Sequence, residues 1–370
     1  MTEKNPPTVF QFGIDPRGES GSLPPSMQMF LLSQGTSISR AVAMAADLRI
    51  ADLLANGPLG SDELAAATST HADSLYRMLR MLTAVGVFAE LDGHRFTQTP
   101  LSELLRGETP GSLRSWMRMV ALPAWSPMFA EAMHSIATGE PCFARAKGVE
   151  FFDYLAAHPA EAVIFQEAMA DFGGAVDEAV VETYDFAGIQ TVVDVGGGHG
   201  SLMAAILRAH PRLDGVLHDL PHVVDGAART LRDAGVADRC QLDGGDFFEE
   251  VPAGGDVYFL KWIVHDWDRD RAAAILQSCR RAMPSGGRLV LIEAVLPGPD
   301  EPHPGKLLDF LMLLGLGGRE RTAEQYADLL RETGFELTRV LPTRSPMSIV
   351  EAVPTAAATA PAGRSPDRGR

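Results

Sequence analysis

The sequence predicts two domains of different class. The first, over about 27–185, is all-helical and winged-helix-like; the second, over about 186–353, is α/β with a Rossmann-like, mostly parallel sheet. Three observations predict this division. Apolar residues recur at helical spacing through the first region. Short apolar runs alternate with amphipathic helices through the second. A glycine-rich turn, Asp194-Val-Gly-Gly-Gly-His-Gly200, follows the first of those runs. The flanks, 1–26 and 354–370, are rich in Pro, Gly, Ser and Ala and read as flexible tails.

Within the first region, Met27 to Ala46 carries Met29, Leu32, Ile38, Val42 and Ala45 at helical spacing. Ser61 is the expected N-cap of the next helix, with Asp62 and Glu63 in its first turn. A further helix is expected from Asp73 to Val85, with Leu75, Met78, Leu79 and Leu82 on one face. Val87–Glu90 and Arg95–Thr97, joined through Asp92-Gly93, read as a hairpin. Helix, turn, helix, hairpin is the winged-helix order, which raises a DNA-binding regulator as a rival reading. Its second helix carries Arg77 and Arg80 but also Asp73, without basic clustering, so a structural or dimer-forming role is favoured.

In the second region the strand candidates are Thr191–Val195, Gly215–Leu217, Asp256–Leu260 and Arg288–Ala294. Glu336–Leu341 and Met347–Val353 add two more, and helices such as Leu202–Ala209 and Arg271–Ala282 lie between.

The bulk properties narrow the function. The 370 residues carry a net charge of −16, with 46% hydrophobic and 22% charged residues, an ordinary globular balance. An acidic surface disfavours nucleic acid and tolerates a cationic ligand. Three dispersed cysteines, Cys142, Cys240 and Cys279, suggest neither a disulfide framework nor a zinc site, and fit a reducing cytoplasm. No apolar run is long enough to span a membrane, and neither a signal core nor a metal site is expected.

A strand ending in a glycine turn before a helix is a nucleotide-binding pattern in general terms, and a nicotinamide dinucleotide or a plain tight turn would produce it too. Three features favour S-adenosylmethionine (SAM). Asp219 lies 23 residues after Gly196, at the end of the next strand, where a carboxylate can accept ribose hydroxyls. Asp246 and Phe247 close a third strand-like segment, placed to meet an adenine amino group and ring. Ser201 stands where the dinucleotide fingerprint has its last Gly or Ala, in a turn some 190 residues into the chain. Beyond the fourth strand comes Phe259-Leu-Lys-Trp-Ile-Val-His-Asp-Trp-Asp268. His265 there suits a general base near neutral pH, or is a surface histidine without a role. Lys261 can bind the methionine carboxylate or be a solvated charge at a strand end.

From about residue 30 to 352 the chain resembles the plant and bacterial small-molecule O-methyltransferases, a group that includes plant caffeate and flavonoid enzymes and bacterial polyketide-tailoring enzymes. The resemblance rests on Asp194-Val-Gly-Gly-Gly-His-Gly200, His218-Asp-Leu-Pro-His222, Gly245-Asp-Phe-Phe248, Lys261-Trp-Ile-Val-His-Asp-Trp267, Leu291-Ile-Glu-Ala-Val-Leu-Pro297 and Gly317-Gly-Arg-Glu-Arg-Thr322, in that order. It implies a class I methyltransferase domain with a seven-stranded sheet, its last strand antiparallel, and an N-terminal domain that forms an intertwined homodimer. It implies SAM as methyl donor, S-adenosylhomocysteine as product, and no metal. His265 falls on the catalytic base, and Glu293 and Glu320 on two carboxylates flanking it. Gly196, Asp219, Asp246, Phe247 and Lys261 fall on SAM-contacting positions, with Gly198 and Leu220 beside them. Phe247 stands where plant members have Met, keeping an apolar contact with adenine.

Glu293 ends a strand beside the one leading to His265, so it is the acceptor expected to hold an imidazole N–H. The alternatives are Glu293 paired with an arginine and Glu320 capping the helix that starts near Thr322. The acceptor pocket is expected from segments 110–175 and 305–318, with Trp125, Met128, Phe129, Phe165, Met169, Asp266, Met312 and Leu316 lining it. Trp116, Met117, Met119, Met133 and Phe172 belong to the same Met- and aromatic-rich set. The expected reaction is transfer to a hydroxyl, phenolic by preference, of a small aromatic metabolite of bacterial secondary metabolism. C- or N-methylation is the runner-up, and a dinucleotide oxidoreductase or the regulator the readings from other classes.

Overall fold

The computed structural model describes residues 24–107, 109 and 111–355. The expected flexible tails therefore lie outside the described residues, save Pro24 to Ser26 and Pro354 to Thr355. The chain divides into two compact units, Met1–Phe129 with Phe152–Gly173, and Ala130–Phe151 with Gly174–Arg370.

The first unit is helical with a small sheet. Helix Gly35–Asp47 supplies Ala41, Val42 and Ala45, and helix Ala72–Ala84 supplies Leu75, Leu79 and Leu82, to a core that also holds Ile50, Leu64, Phe88 and Phe96. The single helix expected from Met27 to Ala46 is two, Pro25–Ser33 and Gly35–Asp47, divided at Gln34. Ser61 is not the N-cap but the first residue of its helix. Gly60 caps it, its N–H donating to Glu63 Oε2 at 2.6 Å. The hairpin forms from Phe88–Leu91 and Arg95–Gln98, Leu59–Gly60 adding a third strand. Its connection includes His94 beyond the Asp-Gly pair, with positive φ at both Gly93 and His94.

The second unit is built on a mixed sheet. Among the described residues its seven strands are β1 (Thr191–Val195), β2 (Asp214–Asp219), β3 (Cys240–Gly244), β4 (Val257–Lys261), β5 (Arg288–Glu293), β6 (Phe335–Pro342) and β7 (Ser348–Pro354). Their spatial order is β6-β7-β5-β4-β1-β2-β3, and β7 runs antiparallel to both neighbours. The parallel strands β1, β4 and β5 are buried almost end to end, which is why they read as unbroken apolar runs. Their carboxyl ends form one edge, and the chain order reverses between β1 and β4, where open α/β sheets hold ligands.

A single boundary at 185 does not describe the chain. Residues 130–151 and 174–183, the end of helix Pro159–Thr183, belong to the sheet unit: Phe143, Val176, Ala179 and Val180 are buried, and the Cys142 N–H donates to the Leu314 carbonyl at 2.9 Å.

Candidate active site

Strand β1 ends at Val195, and the turn after it is pinned to β2, the N–H groups of Gly196 and Gly197 donating to the His218 carbonyl. Gly196 has φ of +70°, and a Cβ there would meet Ile263 at 2.4 Å, so only glycine fits. A Cβ on Gly198 would meet nothing within 4 Å, which leaves open space above the turn. Helix Ser201–Ala209 starts directly afterwards. Asp219, at the end of β2, is fixed by two backbone donors: Gly198 N–H to Oδ2 at 2.8 Å and Leu220 N–H to Oδ1 at 2.7 Å. Asp246 accepts from the Phe248 N–H at 2.8 Å, which turns its short segment and sets Phe247 beside Gly196. The turn thus brings Gly196, Gly198, Asp219, Leu220, Asp246 and Phe247 to one edge of the sheet.

Lys261, the last residue of β4, is not a solvated charge. Its Nζ lies 2.5 Å from Asp177 Oδ1 and 3.3 Å from Ser201 Oγ. Asp194 is buried beneath the turn, and burial pushes its carboxyl up to about 7; Lys261 opposes that shift while Asp177 and Asp219 add to it.

His265 sits in a short 3-10 turn, Val264–Asp266, entered through Trp262 at φ of +57°. It is buried, so the surface-histidine reading is set aside. Its Nδ1 is 2.7 Å from Glu320 Oε1 and 3.8 Å from Glu293 Oε2, and its Nε2 is 3.3 Å from Asp266 Oδ1. The glutamate expected to hold the imidazole, Glu293, is therefore not the one that does. Glu320 holds the imidazole, while Glu293 Oε1 accepts the Val264 N–H at 3.0 Å and holds the backbone beneath it. Helix capping falls to Thr322, whose own side chain accepts from the Gln325 N–H.

The topology explains how residues 55 apart in sequence meet. Val295–Leu296 pairs in parallel with Arg321–Thr322, which zips the segment after Glu293 to the segment after Glu320. Gly318 lies against the His265 loop so tightly that a Cβ would be 2.1 Å from the His265 carbonyl, and the Arg319 N–H donates to that same carbonyl.

Burial disfavours the imidazolium, but Glu293, Asp266 and Glu320 outweigh it and push the His265 pKa up to about 10. Burial likewise pushes Glu293 up to about 8, and Asp266 to about 6. Burial and mutual repulsion thus hold the carboxyl groups of Glu293 and Asp266 up, while the surrounding carboxylates favour the protonated imidazole. His265, Glu293 and Glu320 also each place a ligand-type atom within 4.8 Å of the others. Within this group His265 Nδ1 and Glu320 Oε1 are hydrogen-bonded to each other.

The expected pocket residues fall in both units. Trp125, Met128, Phe129, Phe165 and Met169 belong to the first; Asp266, Met312 and Leu316 to the second. Trp125 and Met128 are buried, Phe129 is half exposed, and Phe165, Met169, Met312 and Leu316 are partly buried. Trp125 donates through Nε1 to the Met119 carbonyl at 2.7 Å, so it is bonded within its own unit.

Residues 129–336 match the family model of the O-methyltransferase domain, and residues 30–107 match that of the O-methyltransferase dimerisation domain. The chain belongs to the O-methyltransferase family. It is 45% identical over 335 residues to the phenazine O-methyltransferase PhzM of Lysobacter antibioticus, covering 90% of this chain and 98% of that one. It is 39% identical over 350 residues to the O-demethylpuromycin-O-methyltransferase of Streptomyces alboniger, covering 92% of each. Among solved structures it superposes with a TM-score of 0.80 and 35% identity on CalO1, a methyltransferase in calicheamicin biosynthesis in its SAH-bound form. That match covers 89% of this chain and 98% of the other. The chain is a SAM-dependent O-methyltransferase.

The residues present fit that cofactor. Asp219 is oriented at the turn, open space lies over Gly198, and Asp177 Oδ2 and Asp194 Oδ2 are buried without hydrogen-bond partners. Sequence reasoning missed three residues that build the site. Arg321 is buried and donates to the carbonyls of Val264, Arg319 and Trp267. Asp309 accepts the Glu320 N–H at 2.9 Å. Asp177 pairs with Lys261. Arg321 lies within Gly317-Gly-Arg-Glu-Arg-Thr322, and that motif is the signal that could have found it; Asp309 and Asp177 sit in helices whose pattern hides them. Among the described residues no helix is long and apolar enough to cross a membrane.

Proposed function

We propose that the enzyme is a cytoplasmic homodimer that methylates a hydroxyl, phenolic by preference, on a small aromatic metabolite in bacterial secondary-metabolite biosynthesis, with His265 as general base. The observation that carries the reading is the buried imidazole of His265, held at Nδ1 by Glu320 and presenting Nε2 beside Asp266. Relatives named for phenazine and O-demethylpuromycin substrates support an aromatic acceptor. The matched dimerisation domain supports the homodimer.

When bound, SAM supplies an electrophilic methyl group on a sulfonium. The chain's own residues do the rest. Glu320 fixes the ring orientation, and with Glu293 stabilises the imidazolium formed as the hydroxyl proton arrives at Nε2. Because the three carboxylates hold a proton on the resting imidazole, that proton leaves before His265 can accept another. Proton removal by a positioned base contributes on the order of 10²- to 10⁴-fold.

The test is His265→Ala with radiolabelled methyl donor and a panel of phenolic acceptors at neutral pH. A loss of about 10²-fold or more is expected, and a rate within a few-fold of wild type would show the base to lie elsewhere. Mass and NMR assignment of the product's new methyl group separates transfer to oxygen from transfer to nitrogen or carbon.

A further inference from the structure

Asp177 is a buried carboxylate in the apolar stretch of helix Pro159–Thr183, between the buried residues Val176 and Ala179. Its side chain is 3% exposed. One oxygen meets Lys261 Nζ, and the other, Oδ2, is buried without a partner. A half-satisfied buried carboxylate is costly, and a buried ion pair seldom repays its desolvation.

The surroundings supply the reason. Asp177 and Asp219 both act on the carboxyl of Asp194 beneath the glycine turn, and Lys261 is the cation set against them. Asp194 Oδ2 is buried and unpartnered too. This corner therefore holds more negative than positive charge, with oxygens lacking donors. It also lies a short way from the ribose-facing carboxylate. From Gly198, which donates to Asp219, to Ser201, which touches Lys261, is three residues, at most about 10 Å of chain. An ammonium beside a carboxylate is what an Asp–Lys pair complements charge for charge, and the methionine end of SAM is such a zwitterion.

We propose that Asp177 binds the α-ammonium of SAM while Lys261 takes the α-carboxylate, the Asp177–Lys261 pair being exchanged for two pairs to the ligand. The proposal rests on the assignment of SAM as cofactor. It makes Asp177 a determinant of affinity for the amino-acid end and leaves the adenosine end to Asp219, Asp246 and Phe247.

The experiment is titration calorimetry of wild type and Asp177→Asn with three ligands: S-adenosylhomocysteine, its analogue with the α-amino group replaced by hydrogen, and 5′-methylthioadenosine. Wild type is expected to bind the desamino analogue about 10- to 100-fold more weakly than S-adenosylhomocysteine. Asp177→Asn is expected to lose a similar factor for S-adenosylhomocysteine and to bind the other two ligands within about threefold of wild type. Equal affinity of wild type for S-adenosylhomocysteine and its desamino analogue would overturn the proposal without recourse to a variant. So would an equal loss in the variant for all three ligands. Failure of wild type to bind any of them would overturn the cofactor assignment itself.

Discussion

At His265 the structure sets two opposing effects against each other. Burial drives an imidazole toward neutrality, and three carboxylates within reach drive it toward the cation, which prevails. The sign for activity follows. A base works only after losing its proton, so kcat/KM should rise with pH. Because the imidazole is held up toward about 10, the midpoint of that rise should lie well above the ordinary value of 6.5. A midpoint at or below 6.5 would contradict the arrangement. In Glu320→Gln one raising charge is gone, so the midpoint should move to lower pH while the maximal rate falls. Asp219 offers a binding counterpart: Asp219→Ala removes the acceptor oriented by Gly198 and Leu220, and the SAM dissociation constant should rise about 10-fold or more. Unchanged affinity by calorimetry would remove Asp219 from the site.

The elements around His265 act as a clamp. The two-residue ladder between Val295–Leu296 and Arg321–Thr322 aligns both glutamates with one imidazole, and Gly318 lets the second segment close over the 3-10 turn. Gly318→Ala should push that turn away by the space its Cβ needs. A misplacement of that order costs about 10²-fold in kcat. SAM affinity should stay near wild type, since the glycine turn is not touched; a variant with normal kcat would show the close approach to be dispensable. Arg321 is the clamp's fastener. Arg321→Met removes the donor to three carbonyls, that of Val264 buried, which should cost about 1–3 kcal/mol and show as a lower melting temperature.

Over the whole molecule, the division into units governs what can be cut apart. The sheet unit includes Ala130–Phe151 and the end of helix Pro159–Thr183, so residues 186–370 alone lack part of their core. Such a fragment should show no cooperative thermal transition by circular dichroism; a sharp transition would mean the sheet is self-sufficient. The full chain, carrying the matched dimerisation domain, should sediment near twice its 39.7 kDa mass. With a net charge of −16 it should show no salt-dependent binding to duplex DNA, the property a regulator would need.

Periodicity and turn chemistry made the strands, the hairpin and the glycine turn legible, because each depends on residues close together in sequence. The motifs likewise marked Asp219, Asp246, Lys261, His265 and Glu293, each at a strand end or in the loop after it, and Glu320 in the segment between helix Pro304–Gly315 and Arg321–Thr322. What they could not assign was partnership. Which glutamate holds the imidazole depends on a parallel ladder joining segments some 25 residues apart, and sequence order favoured Glu293. Lys261 meets Asp177 across 84 residues, and Arg321 reaches back to Val264 across 57. A helix records which face is buried, not what a buried carboxylate touches, so Asp177 passed as part of an apolar pattern. The sequence by itself determined the family's chemistry and the edge of the sheet that bears it. The tertiary structure alone decided the hydrogen-bond partners, the electrostatic balance around the buried imidazole and which segments belong to which unit, because these arise from long-range packing and from charges brought together out of water.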